Sequence, residues 1–247
     1  MCMKMYEIGF FFCHSISISN KVLLFYMTDK ETIKYIIGID EVGRGPIAGP
    51  VTVCAFLLKD ESFLEFAIGK AYGKDGLKDI GQTYVKLPKL RDSKKLSKKQ
   101  REIWYEFLKS EKEKGNCDFA VSFVSSENID KFGIAKCIQK ALDNSLLNLL
   151  KTSSLETSYY KLMLDGGLHA PKEFINQETI IKGDELHPVI SLASIVAKVS
   201  RDKVMETFSK KYPEYGFDKH MGYGTKAHYD AIKKYGQTPI HRKSFIH

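Results

Sequence analysis

Apolar residues follow two spacings along the chain from Ile33 onward, and each spacing predicts a different kind of element. Short runs rich in β-branched and aromatic residues are typical of buried strands. They predict strands at Lys34–Glu41, Pro50–Leu58, Cys117–Val124, Lys161–Asp165 and Glu178–Lys182. Apolar residues three and four positions apart predict helices instead. The helices are expected at Leu96–Lys114, Gly133–Leu150, Ile190–Phe208 and Thr225–Lys234.

The order of these elements favours an α/β fold. Strands come first and then alternate with helices, which predicts a mixed sheet flanked by helices, with a helical C-terminal appendage. The helix at Ile190–Phe208 is rich in small residues, which suits close packing against a sheet. The segment Asp60–Leu87 combines several glycines with mixed charge, and we interpret it as a loop or an insertion.

Residues Met1–Lys30 are unlike the rest of the chain. Two short apolar runs, Ile8–Cys13 and Val22–Met27, flank a polar stretch, and neither approaches the roughly 18 apolar residues of a membrane span. The segment also lacks the single continuous apolar region of a signal peptide. We therefore expect residues 1–32 to be a dispensable extension, and a chain that starts at Met27 to fold and function.

The composition is typical of a soluble globular protein, with 43% hydrophobic and 28% charged residues. Lys and Arg number 38 against 30 Asp and Glu, which gives a formal net charge of +8 and a pI near 9.0. Such a charge favours a polyanionic partner, either a nucleic acid or an anionic membrane surface. The five cysteines include no Cys-x-x-Cys pair, so we expect reduced thiols in a cytoplasmic protein rather than disulfides or a zinc knuckle.

Four carboxylates follow predicted strands. Asp40 and Glu41 end the first strand, Asp165 ends another, and Asp184 comes just after a third. Because sites in open α/β sheets form beyond the carboxyl ends of the strands, these acids are expected to converge. Their mutual repulsion would favour a divalent cation between them, and an all-oxygen ligand set suits Mg²⁺ or Mn²⁺ rather than zinc. The alternative is a set of strand-end or helix-capping acids that bind no metal.

The turn after the first strand, Gly43-Arg44-Gly45, is a candidate contact to a phosphate or a sugar hydroxyl. It would present backbone amides and a guanidinium to such a group. An ordinary strand connection has the same composition, so the turn alone leaves both interpretations open. Tyr223 stands between two glycines, where it would stack on a sugar or base, or else pack in the core.

Two stretches concentrate positive charge. Residues 86–101 hold eight basic residues and one acid. This indicates either a contact to a nucleic-acid backbone or a solvated helix start capped by Asp92 or Ser97. The second stretch lies near the C-terminus and comprises Lys219, Lys226, Lys233, Lys234, Arg242 and Lys243.

Six motifs in this order resemble type 2 ribonuclease H, the ribonuclease HII family. They are GIDEVGRGPIAGPV (38–51), DSKKLS (92–97), LDGG (164–167), ASIVAKVSRD (193–202), GYGTKAH (222–228) and HRKSF (241–245). The resemblance implies a ribonuclease H-like fold, with a mixed five-stranded sheet flanked by helices and a helical C-terminal region. The implied domains are a catalytic domain at 33–208 and a substrate-binding region at 209–247.

The resemblance also implies an activity. It is endonucleolytic hydrolysis of the RNA strand of RNA–DNA hybrids, with incision on the 5′ side of ribonucleotides embedded in duplex DNA. Hydrolysis of this kind implies two divalent ions, Mg²⁺ or Mn²⁺. The implied partners are RNA–DNA hybrids and ribonucleotide-containing duplex DNA, with no membrane, and we expect a monomer.

The functional positions of the family fall on residues already singled out. Its metal-binding carboxylates fall on Asp40, Glu41, Asp165 and Asp184. Its motif that reads the 2′-hydroxyl falls on Gly43, Arg44 and Gly45. Its tyrosine, which packs on the sugar at the RNA–DNA junction, falls on Tyr223, and its phosphate-contacting positions fall on Lys94 and Lys95.

Other positions match the family less simply. Asp202 lies in a matched motif on the long predicted helix, and we interpret it as an acid that pairs with a basic neighbour. The extension Met1–Thr32 has no counterpart in the family pattern, and Asp60–Leu87 is longer than the usual connection. After Gly183-Asp184, many bacterial members continue with Ala-Lys-Ser, whereas this chain has Glu185–Val189, which removes a phosphate-contacting lysine.

Two other classes of protein remain open at this point. A nucleic-acid-binding protein that kept the scaffold without catalysis would share these motifs, although a broken carboxylate set would then be expected. An ATP-using enzyme of the actin and sugar-kinase type also ends its first strand in Gly-Ile-Asp. That class needs a second glycine-rich phosphate loop, for which Gly166-Gly167 is too short.

Overall fold

The computed structural model of the chain describes residues 33–59, 77–80, 83–151 and 156–246. The predictions about residues 1–32 and about most of Asp60–Leu87 lie outside the described residues. At the end of the latter segment two short strands, β3 (Leu77–Ile80) and β4 (Thr83–Lys86), pair antiparallel. The interpretation as a loop is therefore wrong for this part, since most of the glycines that suggested it precede the hairpin.

A five-stranded mixed sheet in the order β5–β2–β1–β6–β7 forms the centre of the fold. The strands are β1 (Tyr35–Val42), β2 (Val51–Leu58), β5 (Cys117–Val124), β6 (Tyr160–Asp165) and β7 (Gln177–Ile180). β1 pairs antiparallel with β2 and parallel with β6, and β6 pairs parallel with β7. The predicted mixed five-stranded sheet is confirmed. Because β1, β6 and β7 run in the same direction, their carboxyl ends meet at one edge.

The α-helices of the described residues flank this sheet or follow it in the C-terminal region. They are α1 (Lys98–Glu113), α2 (Ser126–Phe132), α3 (Ile134–Leu150), α4 (Gly183–Leu186), α5 (Pro188–Lys211), α6 (Phe217–His220) and α7 (Lys226–Tyr235). Helix α2 was not predicted, because it is too short to show a helical repeat of apolar residues. It begins after Ser125, whose hydroxyl accepts from the N–H of Asn128 at 3.3 Å. Gly133, at φ +81°, separates it from α3.

One face of the sheet packs against α3. The apolar stripe of that helix and the inward side chains of β1 and β6 belong to one buried cluster. Its members include Ile37, Ile39, Ile138, Leu142, Leu146, Leu162 and Leu164. This packing confirms the amphipathic helix predicted from the apolar spacing.

Helix α5 crosses the other face of β1 at a very short distance. A Cβ atom on Gly38 would lie 2.3 Å from the carbonyl oxygen of Val189, so only glycine allows this approach. The helix presents small buried residues to the sheet, among them Ala193, Ser194 and Ala197. The close packing predicted from these small residues is confirmed, and it places α5 directly behind the carboxylates of β1.

The C-terminal region packs on the far end of α5. A second buried cluster joins Met205 on α5 to Tyr215, Phe217, Ala231 and Ile240. Ala48, in the turn between β1 and β2, belongs to the same cluster, so this region also supports that turn. None of the helices in the described ranges is long and apolar enough to span a membrane.

Candidate active site

Three carboxylates meet where β1 and β6 end. Asp40 and Glu41 come from the end of β1, and Asp165 is the last residue of β6. The parallel pairing of Ile39 with Leu164 places Asp40 and Asp165 side by side. One carboxylate oxygen from each of the three acids lies within 4.8 Å of the other two. We call these three residues the acidic group, and the structure brings them together as the sequence predicted.

Burial and repulsion make the two carboxyl groups of β1 difficult to ionise. Burial raises the pKa of Asp40 well above its ordinary value, and the charges of Glu41, Asp165 and Asp184 raise it further. A hydrogen bond with Ser194 on α5 acts in the opposite direction. Burial also raises the pKa of Glu41, and its contact with Arg44 opposes that shift.

Asp184 lies beside the acidic group rather than within it. It is buried in the first turn of α4, directly after β7. The N–H of Gly183 donates to Oδ1 of Asp165 at 2.7 Å, which ties the start of α4 to the end of β6. Burial raises the pKa of Asp184, and the ammonium of Lys94, 3.1 Å from Oδ2, opposes that shift. The fourth predicted acid is therefore adjacent to the others and paired with a lysine.

The donor set of this edge fits a hard divalent cation. The atoms that the acidic group offers are all carboxylate oxygens, the ligands that suit Mg²⁺ and Mn²⁺. A bound cation would stabilise the charged forms of Asp40 and Glu41, whose pKa values burial and neighbouring charges raise. Asp40, Glu41 and Asp165 would hold such an ion, with Asp184 next to them.

The basic stretch 86–101 leads into α1 through two caps. Asp92 caps a short 3-10 turn by accepting from the N–H of Lys94 at 2.8 Å. Ser97 caps α1 and exchanges hydrogen bonds with Gln100, a complete capping box. The helix-start interpretation of this stretch is therefore confirmed. The caps do not conflict with a role of this stretch in binding nucleic acid, because Lys94 and Lys95, which lie between the two caps, stay exposed.

Lys94 and Lys95 lie at the rim of the acidic group. Their side chains are 77% and 55% exposed, and each pairs with an acid of α4. Lys94 contacts Asp184, and Lys95 contacts Glu185 at 3.0 Å. Both partners of the Lys95–Glu185 pair are exposed, so that pair is weak, whereas Lys94 contacts a carboxylate that is itself only 5% exposed.

The turn Gly43-Arg44-Gly45, hereafter the GRG turn, lies next to the acidic group. The guanidinium of Arg44 donates to Oε1 of Glu41 from Nη2 at 2.8 Å and from Nε at 3.1 Å. Gly43 has a φ of +91°, and a Cβ atom there would lie 2.3 Å from Nε of Arg201. The first position of the turn therefore requires glycine for its own conformation.

Tyr223 stands beside the GRG turn. Its side chain is 48% exposed, so the alternative of a core tyrosine is wrong. A Cβ atom on Gly45 would lie 3.9 Å from Cε1 of the tyrosine ring. The carbonyl of Tyr223 accepts from Nδ1 of the buried His228 at 2.9 Å, which holds the backbone behind the ring. The acidic group, the GRG turn and an exposed aromatic ring thus lie along one edge.

Asp202 pairs with basic neighbours on two helices. It contacts Lys198, one turn earlier on α5, and Arg101 of α1, whose Nη2 lies 3.8 Å away. The pairing expected from the sequence is confirmed. Asp202 is buried and contacts basic residues of α1 and α5, so it joins the helix that follows Lys94 and Lys95 to the helix that lies behind Asp40.

Two buried arginines behind the GRG turn were not recognised as site residues from the sequence. Arg201 donates to the carbonyl oxygens of Pro50 at 2.9 Å and Ala48 at 3.2 Å. Arg242 belongs to the basic C-terminal stretch in the sequence, but unlike an exposed lysine it cannot contact a nucleic acid, because its side chain has no exposed surface. The available signal was their place inside two of the motifs, ASIVAKVSRD and HRKSF.

Comparison with known proteins agrees with this geometry. A family model for ribonuclease HII matches residues 37–79 and 77–247. The chain is 39% identical to ribonuclease HII of Endomicrobium trichonymphae over 210 residues, which are 85% of this chain and 84% of that protein. Ribonuclease H2 from Pyrococcus horikoshii OT3 superposes with a TM-score of 0.57 at 26% identity, covering 85% of this chain and 93% of that one.

A more distant structure shares the fold. Bst ribonuclease HIII in complex with Mn²⁺ has a TM-score of 0.60 at 16% identity and covers 87% of this chain and 68% of that one. Together the matches exclude the ATP-using class and the non-catalytic class considered above. The chain therefore belongs to the ribonuclease HII family, and it is an endonuclease of the ribonuclease H type.

Proposed function

We propose that this enzyme, besides hydrolysing the RNA of RNA–DNA hybrids, cuts duplex DNA on the 5′ side of a single embedded ribonucleotide. The observation that carries the proposal is the juxtaposition of the acidic group, the GRG turn and the exposed ring of Tyr223. The 2′-hydroxyl is what distinguishes RNA from DNA at a given position. Backbone amides beside a metal-binding edge are placed to read that hydroxyl where the bond is cut.

The carboxylates would carry the hydrolysis. We propose that the acidic group and Asp184 would hold two Mg²⁺ or Mn²⁺ ions, with Asp40 between the other acids as a central ligand. When bound, these ions would activate a water molecule and stabilise the charge that grows on the leaving 3′-oxygen. The carboxylate donor set and the Mn²⁺ complex of Bst ribonuclease HIII support a divalent cation. A phosphate of the substrate would replace Asp184 as the partner of Lys94, which would free the carboxylate of Asp184.

The remaining residues would position the substrate. The amides of the GRG turn would grip the ribose, and the ring of Tyr223 would pack on the deoxyribose that follows it. Lys94 and Lys95 would hold the phosphate backbone without reading base sequence. The division into a catalytic domain at 33–208 and a substrate-binding region at 209–247 is part of this proposal, as is the monomeric state.

The test compares three duplexes of one sequence, in which one strand is all deoxy, carries a single ribonucleotide, or is all RNA. With Mg²⁺ or Mn²⁺, we expect the single ribonucleotide to be cut at one position, on its 5′ side, and the hybrid to be cut at many. The all-deoxy duplex should be cut slower by about 10⁴ or more, because a site built to pair with a hydroxyl is penalised when the hydroxyl is missing.

Sequencing-gel mapping of the products decides the outcome. A cut on the 3′ side of the ribonucleotide would contradict the assigned direction. Cleavage restricted to runs of several ribonucleotides would show that the GRG turn and Tyr223 do not define a junction site. The enzyme is first treated with a chelator and then assayed with and without added divalent ion. Equal cleavage in the two assays would contradict the role of the carboxylates in binding metal ions.

A second prediction concerns the basic rim. Replacing Lys94 and Lys95 by alanine should weaken hybrid binding. It should also reduce the slope of the logarithm of the binding constant against the logarithm of the salt concentration by about 1 to 2, since each phosphate contact releases about one counterion. The measurement is fluorescence anisotropy of a labelled hybrid over a series of salt concentrations.

The matched control removes the same charge elsewhere. Lys136 and Lys140 are exposed on α3, which packs on the opposite face of the sheet from α5. Their double alanine variant should keep the wild-type slope. If the two double variants have the same slope, Lys94 and Lys95 do not contact the duplex.

A further inference from the structure

The guanidinium of Arg242 is buried against the turn between β1 and β2, and each of its hydrogen bonds goes to a backbone carbonyl there. Nη2 donates to the oxygen of Gly43 at 2.7 Å and Nη1 to that of Arg44 at 3.0 Å. Nε donates to the oxygen of Gly49 at 2.9 Å. The backbone N–H of Arg242 also donates to Ile47 at 2.8 Å. One residue near the C-terminus therefore holds both ends of this turn.

This arrangement is unusual for a buried charge. A buried guanidinium normally has a carboxylate partner, because taking an unpaired charge out of water is costly. Within the described part of the chain, no carboxylate forms an ion pair with Arg242. Burial, followed by the nearby Arg201, lowers the pKa of Arg242 to about 9. The partial charges of the carbonyl oxygens stabilise the cation, together with the ring of Phe245, whose centroid lies 5.2 Å from the guanidinium carbon, and the charge of nearby Asp130.

The carbonyl positions fix the direction of the neighbouring amides. A trans peptide places its C=O and N–H on opposite sides, and the described residues contain no cis peptide. Because the Gly43 carbonyl points inward to Arg242, the N–H of Arg44 points away from it. The same relation holds between the Arg44 carbonyl and the N–H of Gly45. Among the described residues, neither N–H donates to a protein acceptor.

We propose that Arg242 is a positioning residue for substrate discrimination. By holding the carbonyls of Gly43 and Arg44 inward, it aims the N–H groups of Arg44 and Gly45 at the ribose, where the 2′-hydroxyl oxygen accepts from them. This inference rests on the proposed function, and it assigns the orientation of the GRG turn to a side chain that never touches the substrate. Arginine suits the task because its planar fork reaches three carbonyls at once, which the single ammonium of a lysine does not.

The chain provides a matched control in Arg201. This residue is as deeply buried, and its three hydrogen bonds also go to backbone carbonyls, at 2.9 to 3.2 Å. Its acceptors are Pro50, Ala48 and Met221, so it holds the far end of the turn and the loop before Tyr223. Losing Arg201 removes similar packing and charge without freeing the carbonyls of Gly43 and Arg44.

The test compares Arg242→Lys and Arg201→Lys in the full-length enzyme. The readouts are kcat/KM on a duplex with one ribonucleotide, the Kd for the all-deoxy duplex and the unfolding midpoint. For Arg242→Lys we expect kcat/KM to fall by about ten- to a hundred-fold, as small misplacements at a site do, with the Kd for the all-deoxy duplex unchanged. For Arg201→Lys we expect a similar drop in the unfolding midpoint and also a lower kcat/KM, because Arg201 holds the loop before Tyr223. The amide resonance of Gly45 is therefore the readout that separates the two variants.

A spectroscopic readout separates orientation from stability. With ¹⁵N-glycine labelling, the amide resonance of Gly45, assigned by its absence from Gly45→Ala, should move in free Arg242→Lys and stay in place in free Arg201→Lys. In the wild type it should move further on adding the single-ribonucleotide duplex than on adding the all-deoxy duplex. Arg242→Gln, which keeps one donor group, serves as a second variant.

The outcomes distinguish this inference from the function on which it rests. Wild-type enzyme that fails to cut a lone ribonucleotide would overturn the proposed function and this inference with it. Normal cutting and an unmoved Gly45 resonance in Arg242→Lys would overturn the inference alone. So would a failure of both Arg242 variants to fold when Arg201→Lys folds, because Arg242 would then serve the fold and not the orientation of the turn.

Discussion

Asp165→Asn is expected to reduce cleavage by more than the about 10- to 100-fold that loss of an outer-shell partner of a metal ligand costs, while leaving hybrid binding nearly intact. It removes a metal-ligand charge and keeps the shape of the side chain. The structure explains why the fold should survive. Oδ1 of Asp165 accepts from the N–H of Gly183 at 2.7 Å, and an asparagine oxygen can accept the same bond. The amide nitrogen would then replace the other oxygen. The measurement is single-turnover cleavage of a hybrid, with binding followed by anisotropy.

The control for this substitution is another buried aspartate outside the acidic group. Asp202→Asn weakens the contacts of Asp202 with Lys198 and Arg101, so it should lower the unfolding midpoint. The folded protein should still cut at close to the wild-type rate. Near wild-type cleavage by Asp165→Asn would remove Asp165 from the metal site, and a loss of cleavage in folded Asp202→Asn would assign Asp202 a part in it.

Gly45→Ala is expected to lower cleavage at a single ribonucleotide by about 10²-fold or more without affecting the fold, since displacing a bound group by about 1 Å costs this much. Among the described residues, a Cβ atom at position 45 meets only Cε1 of Tyr223, at 3.9 Å, an ordinary van der Waals contact. The added methyl group therefore has room in the free protein. In the proposed complex the methyl group would lie where the sugar approaches the backbone. It would therefore hinder substrate binding and cleavage without disturbing the free protein.

Gly43 provides the contrast within the same turn. There a Cβ atom would lie 2.3 Å from Arg201 and 2.8 Å from the carbonyl oxygen of Pro50, at a φ of +91°. Gly43→Ala should therefore lower the unfolding midpoint as well as activity. If Gly45→Ala keeps both its unfolding midpoint and its cleavage rate on the single-ribonucleotide duplex, the GRG turn does not approach the sugar.

Local patterns in the sequence were sufficient for the strands and for the choice of acids. The apolar run of β1 ends at Asp40-Glu41, and that of β6 ends at Asp165, so alternation and length alone place three carboxylates at strand ends. Caps are equally local, which is why Asp92 and Ser97 were recognisable in advance. Patterns that extend over a few residues depend on backbone geometry and hydrogen bonding near those residues, and these do not require the rest of the fold.

Only the tertiary structure decided which charges meet and which are buried. Lys94 and Asp184 are 90 residues apart in the chain, and they pair because the turn before α1 lies against the start of α4. Arg242 resembles its basic neighbours in the sequence, yet it is fully buried and orients the GRG turn, whereas Lys94 at the rim is exposed. The sequence shows the sign of each charge, but the energy of that charge depends on its solvation and on partners brought near by packing. That packing depends on long-range contacts, such as the close approach of α5 to Gly38, which no local pattern contains.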